Sequence, residues 1–398
     1  MFIKVLSRRN KKNQIIGEKK MRKIFLTAIA LLSIASAQVF GMYGVDTDWI
    51  NFLTHGNQFR ARLDQLGFTL GNDTIKGTFG FDNNTGYGGI YGAMLNKATG
   101  GDNYDWVPSI SMGIGYTSSA VSVGVGYNAT LGPRVPKYNG KDSPKTVQTA
   151  AHTPVLVLNA MDNAFRMAIP IQVYVNNDKD AAGNKENLTA VSLDSQFRYY
   201  TGLEMLPQVR LYLRYGNVSW NSELAGVKDK GKIAESFGFD FRLYFGATVE
   251  EVALQPFVKL VYNGALGKYH NVTRVEAVKY MKGSYNSAAA VWETGAWDLT
   301  LMPALGLTAN SDIVSIYLEP SLGLSVKQNG SATQKNVKEV YGLGYNVYAE
   351  IYITPLKNLE WYFEAEIGNV AGGSTAVTLV KGLGFNGTTG ITWYLPAL

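Results

Sequence analysis

The chain has 398 residues, of which 46% are hydrophobic and 12% aromatic, and it contains no cysteine. The lack of cysteine excludes a disulfide-stabilised scaffold and any thiolate chemistry. The formal charge is +6, but nine of the 37 basic residues and only one of the 31 acidic residues lie in residues 1–41. The remaining chain carries 28 basic and 30 acidic side chains, so its charge gives no support to nucleic-acid binding.

Residues 21–41 have the layout of a secretory signal peptide. Arg22 and Lys23 form a charged start, and the apolar stretch that follows is too short for a transmembrane helix. Small residues then place the expected cleavage after Ala37 or after Gly41. The sequence therefore predicts an exported protein.

The stretch from Asp48 to Leu66 differs from the rest of the chain. Its apolar residues recur at roughly helical spacing, and Gly67 can end a helix. We expect a short helix in the lumen of the protein or on its periplasmic side. An extra strand from Phe59 to Leu70 is the alternative. The apolar residues concerned are Trp49, Phe52, Leu53, Phe59, Leu63 and Leu66.

From residue 74 onward, apolar and polar residues alternate in many segments. Ile313 to Val326 is the clearest case, with an apolar residue at nearly every second position. Successive side chains of a strand point to opposite faces, so each segment predicts a strand with one apolar and one polar face. About fourteen strands are expected, within a range of twelve to sixteen. Their approximate positions are 74–82, 104–116, 120–132, 153–160, 164–176, 188–203, 207–220, 236–249, 252–266, 290–308, 312–327, 338–354, 358–370 and 380–395.

The connections between these strands alternate between short turns and long polar segments. This alternation is typical of outer-membrane barrels, which have short periplasmic turns and long external loops. A secreted soluble sandwich is the alternative, but it has no reason to keep the alternation. We predict an all-β fold, an up-and-down antiparallel transmembrane β-barrel with a short N-terminal helical segment. The long segments are 83–103, 133–152, 177–187, 221–235, 267–289, 328–337 and 371–379.

Three regions follow from these patterns. Residues 1–41 form the leader, with Met21 as the expected true start, residues 42–72 the helical segment, and residues 73–398 the barrel. An even strand count places both chain ends in the periplasm and the long loops at the cell surface. The expected partners are outer-membrane lipid, the barrel-assembly machinery, further copies of the chain, and host surfaces or antibodies at the loops, with no nucleic acid.

Charged residues on the polar faces of the strands are the candidates for lining a pore. Basic residues dominate the middle strands and acidic residues the later strands, so one wall of the lumen is expected to be mainly basic and the other acidic. Such walls create a transverse field across a water-filled channel. The alternative is that these groups pair across a narrow lumen and fill it. The candidates are Arg166, Arg198, Arg210, Arg214, Arg242, Lys259, Asp298, Glu319, Glu350, Glu360, Glu364 and Glu366.

Signals of catalysis are weak. The three histidines, His55, His152 and His270, have no ligand spacing, so no metal is expected. The sequence contains neither a nucleophile elbow nor a phosphate-binding loop, and we expect no cofactor and no enzymatic activity. A barrel hydrolase with His152 or His270 beside a loop carboxylate is the alternative.

Two segments carry a resemblance to a known family. Met42 to Phe68 reads MYGVDTDWINFLTHGNQFRARLDQLGF, and Thr74 to Asp82 reads TIKGTFGFD. Both resemble the variable surface proteins of the spirochaete Brachyspira. The resemblance implies an abundant, antigenically variable outer-membrane protein, brings no catalytic residues, and favours cleavage after Gly41.

The function expected from the sequence is a surface antigen that also allows passive, porin-like diffusion of small polar solutes. The alternative is a non-conducting coat protein or adhesin with a plugged lumen. The packing of the lumen separates the two, since wide barrels conduct and filled ones do not.

Overall fold

The structure, a computed structural model, describes residues 48–62, 65–83, 108–138, 141–179, 183–249, 252–267, 272–282, 292–369, 377–380 and 383–396. The leader, its cleavage positions and Met21 lie outside the described residues. His270 lies outside them as well.

The described chain consists almost entirely of strands. Its two short helical segments are 3₁₀ turns at Asp48–Asn51 and Ala277–Lys282. Aromatic and β-branched residues suit a pleated surface that is buried on one face. The strands are β1 (Gln58–Arg62), β2 (Gln65–Gly71), β3 (Ile75–Asn83), β4 (Pro108–Tyr116), β5 (Val121–Tyr138), β6 (Lys141–Ala160), β7 (Phe165–Lys179), β8 (Lys185–Tyr200), β9 (Gln208–Leu224), β10 (Val227–Tyr244), β11 (Ala247–Val249), β12 (Val252–Ala265), β13 (Trp297–Asn310), β14 (Val314–Gln328), β15 (Val340–Leu356), β16 (Leu359–Gly368), β17 (Val377–Val380) and β18 (Leu383–Tyr394).

Sixteen of the described strands close an antiparallel barrel. Strands that follow one another in sequence are paired, and β1 pairs with both β2 and β18, which closes the sheet. At the closure, Phe59 lies opposite Trp393 on one side and opposite Phe68 on the other. The short β11 pairs with β12, and the short β17 pairs with β18. These two strands extend existing hairpins and are not counted among the sixteen strands of the barrel.

All fourteen predicted strands have a counterpart in the barrel, and the observed count exceeds fourteen by two, at the upper limit of the expected range. The missing pair is the hairpin of β1 and β2, in the segment for which we expected a helix. Only Asp48–Asn51 is helical, as a single 3₁₀ turn. From Gln58 onward the residues alternate, with Phe59 outside and Arg60 inside, and cross-strand pairing at the closure outweighs the helical spacing of the apolar residues. The barrel therefore begins inside the segment 42–72.

The outer face of the barrel is apolar and the inner face is polar. On β14, Ile316, Leu322 and Leu324 are exposed on the outside, whereas Tyr317 is buried and Glu319 partly buried on the inside. Buried polar residues outnumber buried apolar ones on many inner faces, the reverse of a soluble core. This is the side-chain arrangement of a barrel that contacts lipid outside and encloses a polar lumen.

The two ends of the barrel differ. One end, which we call the short-turn end, carries tight connections such as 72–74, 117–120 and 311–313, as well as the start of β1 and the end of β18. The opposite, long-loop end carries most of the longer connections. The predicted strict alternation is broken there, since only residues 63–64 separate β1 from β2.

Two of the predicted long loops are mainly strand. Most of 133–152 belongs to β5 and β6, and most of 221–235 to β9 and β10. Ala225 and Gly226 join β9 to β10, with φ angles of 50° and 81°. Positive φ at both positions is the backbone of a two-residue hairpin turn, so this hairpin extends without a loop.

Candidate functional site: the barrel lumen

Five of the predicted basic residues form one continuous row across the inner wall. Register pairs join Arg166 to Arg198, Arg198 to Arg210, Arg210 to Arg242, and Arg242 to Lys259. The row, which we call the cation row, crosses the five neighbouring strands β7, β8, β9, β10 and β12 near the short-turn end. Like charges directly opposite each other on a sheet are destabilising, so the row needs compensation.

Two aspartates compensate part of this charge. Asp240 accepts two hydrogen bonds from Arg242, at 2.9 and 2.7 Å, and lies 4.0 Å from the Lys259 ammonium group. Asp194 lies 3.3 Å from Arg214, the sixth predicted basic residue, which is also 3.9 Å from Asp240. The sequence shows both aspartates only as interruptions of a basic wall, whereas the structure makes them its charge partners.

Tyrosine rings provide a second form of compensation for the arginines. A guanidinium group over an aromatic face is attracted by the electrons of the ring. Three arginines of the cation row form such pairs, with 4.5 to 5.0 Å from the guanidinium carbon to the ring centroid. They are Arg210 with Tyr244, Arg166 with Tyr200, and Arg242 with Tyr212.

Five of the predicted acidic residues lie together on the next arc of the inner wall. This glutamate cluster comprises Glu319 on β14, Glu350 on β15, and Glu360, Glu364 and Glu366 on β16. Glu350 and Glu364 are direct register partners. Tyrosine hydroxyl groups donate hydrogen bonds to the carboxylates: Tyr317 to Glu319, Tyr348 to Glu350 and Glu364, Tyr352 to Glu350, and Tyr394 to Glu360.

Basic residues also occur within this arc. Arg62 on β1 forms an ion pair with Glu364 at 3.2 Å. Asp298, the remaining predicted acidic residue, accepts a hydrogen bond from Asn263 and has Lys327 as its register partner. The wall is therefore less purely acidic than expected: Arg62 lies on β1, which was missed in the sequence, and Lys327 lies on the predicted strand 312–327. All twelve predicted residues lie on inner-face positions, but whether they line a conducting path stays a prediction.

Residues 48–55, which we call the plug segment, lie inside the barrel. Trp49, Phe52 and Leu53 are buried, and they cluster with inner-wall residues of β6 and β7. Their seat is a patch of four glycines on β4 and β5. A Cβ atom would come within 2.3 Å of the Trp49 ring at Gly126, within 2.7 Å of it at Gly113, and within 2.4 and 3.1 Å of Leu53 at Gly115 and Gly124.

Polar contacts fix the plug segment to the cation row. The side-chain oxygen of Asn51 accepts hydrogen bonds from Arg166 at 3.4 Å and from Arg198 at 3.1 Å. The hydroxyl group of Thr54 accepts a third, from Arg166, at 3.2 Å. The ammonium group of Lys76 donates to the backbone carbonyl of His55. Three cations thus hold the segment against the wall.

His55 makes the docking of the plug segment sensitive to pH. Desolvation and nearby positive charges hold the pKa of its imidazole well below the ordinary value of 6.5. The charges come from Arg60, Lys76, Arg166 and Arg198. A docked segment therefore favours neutral His55, whereas a released segment can take up a proton. We therefore expect docking to be strongest above about pH 6.5 and to weaken as the pH falls below it.

We expect this weakening to reach up to about 1.4 kcal/mol for each unit of pH below 6.5. Because the chain has no cysteine, an Ile50→Cys thiol reports release through its rate of modification by a water-soluble maleimide. Gly56 is an exposed position with open space around it. A Gly56→Cys thiol therefore measures how the maleimide reaction itself depends on pH, and the Ile50→Cys rate is divided by its rate. The corrected rate should rise from pH 7.5 to pH 5, and His55→Gln should remove most of that rise. An equal rise of the corrected rate with His55 and with His55→Gln would contradict the role of His55.

A second segment, residues 272–282, also lies against the inner wall, and we call it the inner loop. Val275 and Ala277 are buried in a cluster with residues of β6 to β10. Backbone N–H groups donate from Val275 to Ser236, from Ala277 to Ser192, and from Val278 to Gln172. Arg274 forms an ion pair with Asp194 at 2.8 Å. The sequence analysis placed this segment in the long external loop 267–289 and did not predict that it folds into the lumen.

Other kinds of site find no support among the described residues. They contain no group of three or more His, Cys, Asp or Glu side chains arranged to hold a metal ion. No helix among them is long and apolar enough to cross a membrane. His152 lies on β6, where its imidazole nitrogen is 2.5 Å from the hydroxyl group of Tyr127. Both residues lie away from the lumen, on outer-face positions.

A closed antiparallel barrel with an apolar outer face and a charged interior has the architecture of the transmembrane β-barrel class. The family model described as Serpulina hyodysenteriae variable surface protein matches residues 22–296 and 291–394. The chain belongs to this family, and the resemblance seen in the N-terminal sequence is confirmed. A search of the curated proteins finds none that matches. Fold and family together fit an outer-membrane surface protein.

Proposed function

We propose that this outer-membrane surface protein also forms a narrow diffusion channel for small polar solutes. The observation that carries the proposal is the sixteen-stranded closed barrel with charged, partly accessible side chains inside. The exposed fraction is 33% for Lys259 and 16% for both Arg214 and Glu364. Barrels of sixteen to eighteen strands are wide enough to leave an aqueous channel.

The plug segment and the inner loop narrow this channel on one side. Both lie against the arc formed by β4 to β10, whereas the glutamate cluster lies on the arc of β14 to β16. A solute that passes between them experiences positive charge on one side and negative charge on the other. Such a field orients polar solutes and disfavours apolar ones.

For the orientation, we propose that the short-turn end faces the periplasm and the long-loop end faces outward. The extended hairpins of β5–β6 and β9–β10 then project at the cell surface, where antibodies or host surfaces can reach them. In this role the protein is a variable surface antigen, and the antigen and channel functions are compatible. Assembly by the barrel machinery and association with further copies fit the same location.

Single-channel conductance of the refolded chain in a planar bilayer tests the proposal. Stepwise, reproducible openings would support diffusion. Silence from protein shown to be folded and inserted would favour the second candidate, a non-conducting coat protein or adhesin. The docked plug segment supports that candidate, since five of its residues, 49–53, are at most 3% exposed.

If the channel conducts, the double substitution Glu350→Gln with Glu364→Gln should lower its preference for cations. Glu350 is 0% exposed beneath its tyrosine partners, so we expect Glu364→Gln alone to produce most of the effect. The reversal potential under a salt gradient measures it. Glu223→Gln, on the β8–β9–β10 extension where Glu223 pairs with Lys185, is the matched control. An unchanged potential in the double variant would mean that these carboxylates do not line the path.

A further inference from the structure

At one end of the cation row, the guanidinium groups of Arg166 and Arg198 have no carboxylate partner among the described residues. Within the described part of the chain, these two guanidinium groups bind neutral groups: the carbonyl of Asn163, the side chains of Asn51 and Thr54, and the ring of Tyr200. None of these contacts supplies negative charge. By contrast, Asp240 compensates the other end of the row.

Three buried donor nitrogens at this place lack an acceptor among the described residues, and the side-chain oxygen of Asn159, the register partner of Arg166, lacks a donor. Arg198 is 3% exposed, and its Nε has no hydrogen-bond partner. The side-chain nitrogen of Asn51, 2% exposed, is in the same situation, as is that of Gln208 on the adjacent strand. A buried donor without an acceptor costs free energy comparable to a lost hydrogen bond. A group with acceptor oxygens and negative charge would accept hydrogen bonds from these donor nitrogens and would neutralise the two guanidinium groups.

We propose that Arg166 and Arg198 form the core of a binding site for a small oxyanion, and that the plug segment competes for it. The shared acceptor of both guanidinium groups is now the side-chain oxygen of Asn51. A phosphate or carboxylate oxygen accepts stronger hydrogen bonds from a guanidinium group than a neutral amide oxygen does. Binding of the anion therefore displaces the anchor of the plug segment.

The geometry of the donors favours an oxyanion over a halide. A guanidinium group presents its N–H donors as a planar fork, which matches two oxygens on one atom. Arg166 and Arg198 are register partners on β7 and β8, so their forks approach from neighbouring strands. Inorganic phosphate is the appropriate probe, and chloride is the ion that distinguishes recognition of oxygen geometry from plain charge attraction.

This inference rests on the proposed diffusion function and names the class of solute, small oxyanions. Its test is independent of conduction, because phosphate binding can be measured even if the barrel carries no current. Calorimetric titration of the refolded full chain with phosphate should show saturable binding that chloride at equal concentration does not abolish. Arg198→Gln should weaken it at least about tenfold, the loss expected for a hydrogen bond to a charged group. Asn51→Ala, which removes the competing oxygen, should tighten it severalfold.

The matched control is Lys185→Gln at the long-loop end of β8, the strand of Arg198, where Lys185 pairs with Glu223; it removes the same charge as Arg198→Gln and should leave phosphate binding unchanged. Arg198→Lys keeps the charge but not the fork, so it should weaken binding even if the glutamine variant fails to fold. Absence of saturable binding in both the unmodified chain and Asn51→Ala would overturn the proposal. Equal binding in the Arg198 variants, or full displacement by chloride, would overturn it too.

Conductance separates this proposal from the proposed function. A barrel that binds phosphate saturably but carries no current keeps the oxyanion site and refutes diffusion. A barrel that conducts but shows no saturable binding keeps diffusion and refutes the site.

Discussion

Replacing Gly126 by alanine should release the plug segment while the barrel stays folded. The added Cβ would lie 2.3 to 2.4 Å from ring atoms of Trp49, well inside van der Waals contact. Trp49 is fully buried, and Gly113 holds its ring closely from the neighbouring strand, so the ring cannot move aside without leaving its seat. Overpacking of this kind costs about 1–3 kcal/mol. This cost falls on docking alone, since alanine suits a strand interior better than glycine does.

The thiol at position 50 measures this release. A cost of about 1–3 kcal/mol corresponds to roughly a five- to 150-fold faster modification of Ile50→Cys in the Gly126→Ala background. Gly77→Ala is the matched control, because a Cβ at this strand glycine meets nothing closer than 3.9 Å. An unchanged rate in Gly126→Ala would mean that the ring of Trp49 does not depend on this seat. If the unmodified chain conducts poorly, the same variant should conduct better.

Leu322→Arg should destabilise the inserted barrel by about 2–4 kcal/mol, the cost of a cationic side chain at the membrane midplane of a barrel. Leu322 lies near the middle of β14 and is 57% exposed on the outer face. Unfolding by denaturant from lipid vesicles measures the loss. Facing lipid, the arginine would lie where water cannot solvate it.

The control for this prediction is Ser325→Arg on the inner face of the same strand. Gly342 is its register partner on β15 and leaves room for the longer side chain, so the substitution should cost far less. Equal losses from the two variants would contradict the assignment of the outer face to lipid.

The strands were predictable from the sequence because alternation is a local property. Segments such as Ile313 to Val326 show it residue by residue. The same alternation of apolar and polar positions correctly placed Glu319 and Arg210 on the inner face. The β1–β2 hairpin was not predictable in this way. Its first strand, β1, is defined by pairing with β18, more than 300 residues away in the chain, and the apolar residues around the hairpin also fit a helical spacing.

The two inward segments were hidden for a related reason. Nothing in the composition of 272–282 distinguishes a loop that folds into the lumen from one that extends outward, because its anchors, Ser192 and Ser236, lie on distant strands. One signal did exist for the plug segment. Gly113, Gly115, Gly124 and Gly126 alternate on two adjacent predicted strands, and such a run of glycines on a polar face indicates close approach by another part of the chain.

Closure of the barrel between β1 and β18 also bears on how the protein matures. Hydrogen bonds at this junction join Gln58–Arg62 to the stretch ending at Tyr394, so both edges stay unpaired until nearly the whole chain has been synthesised. Non-local pairing of this kind is slow, and open edges are prone to wrong association. We therefore expect a chain truncated before β18 to leave the edge of β1 unpaired and the barrel unsealed.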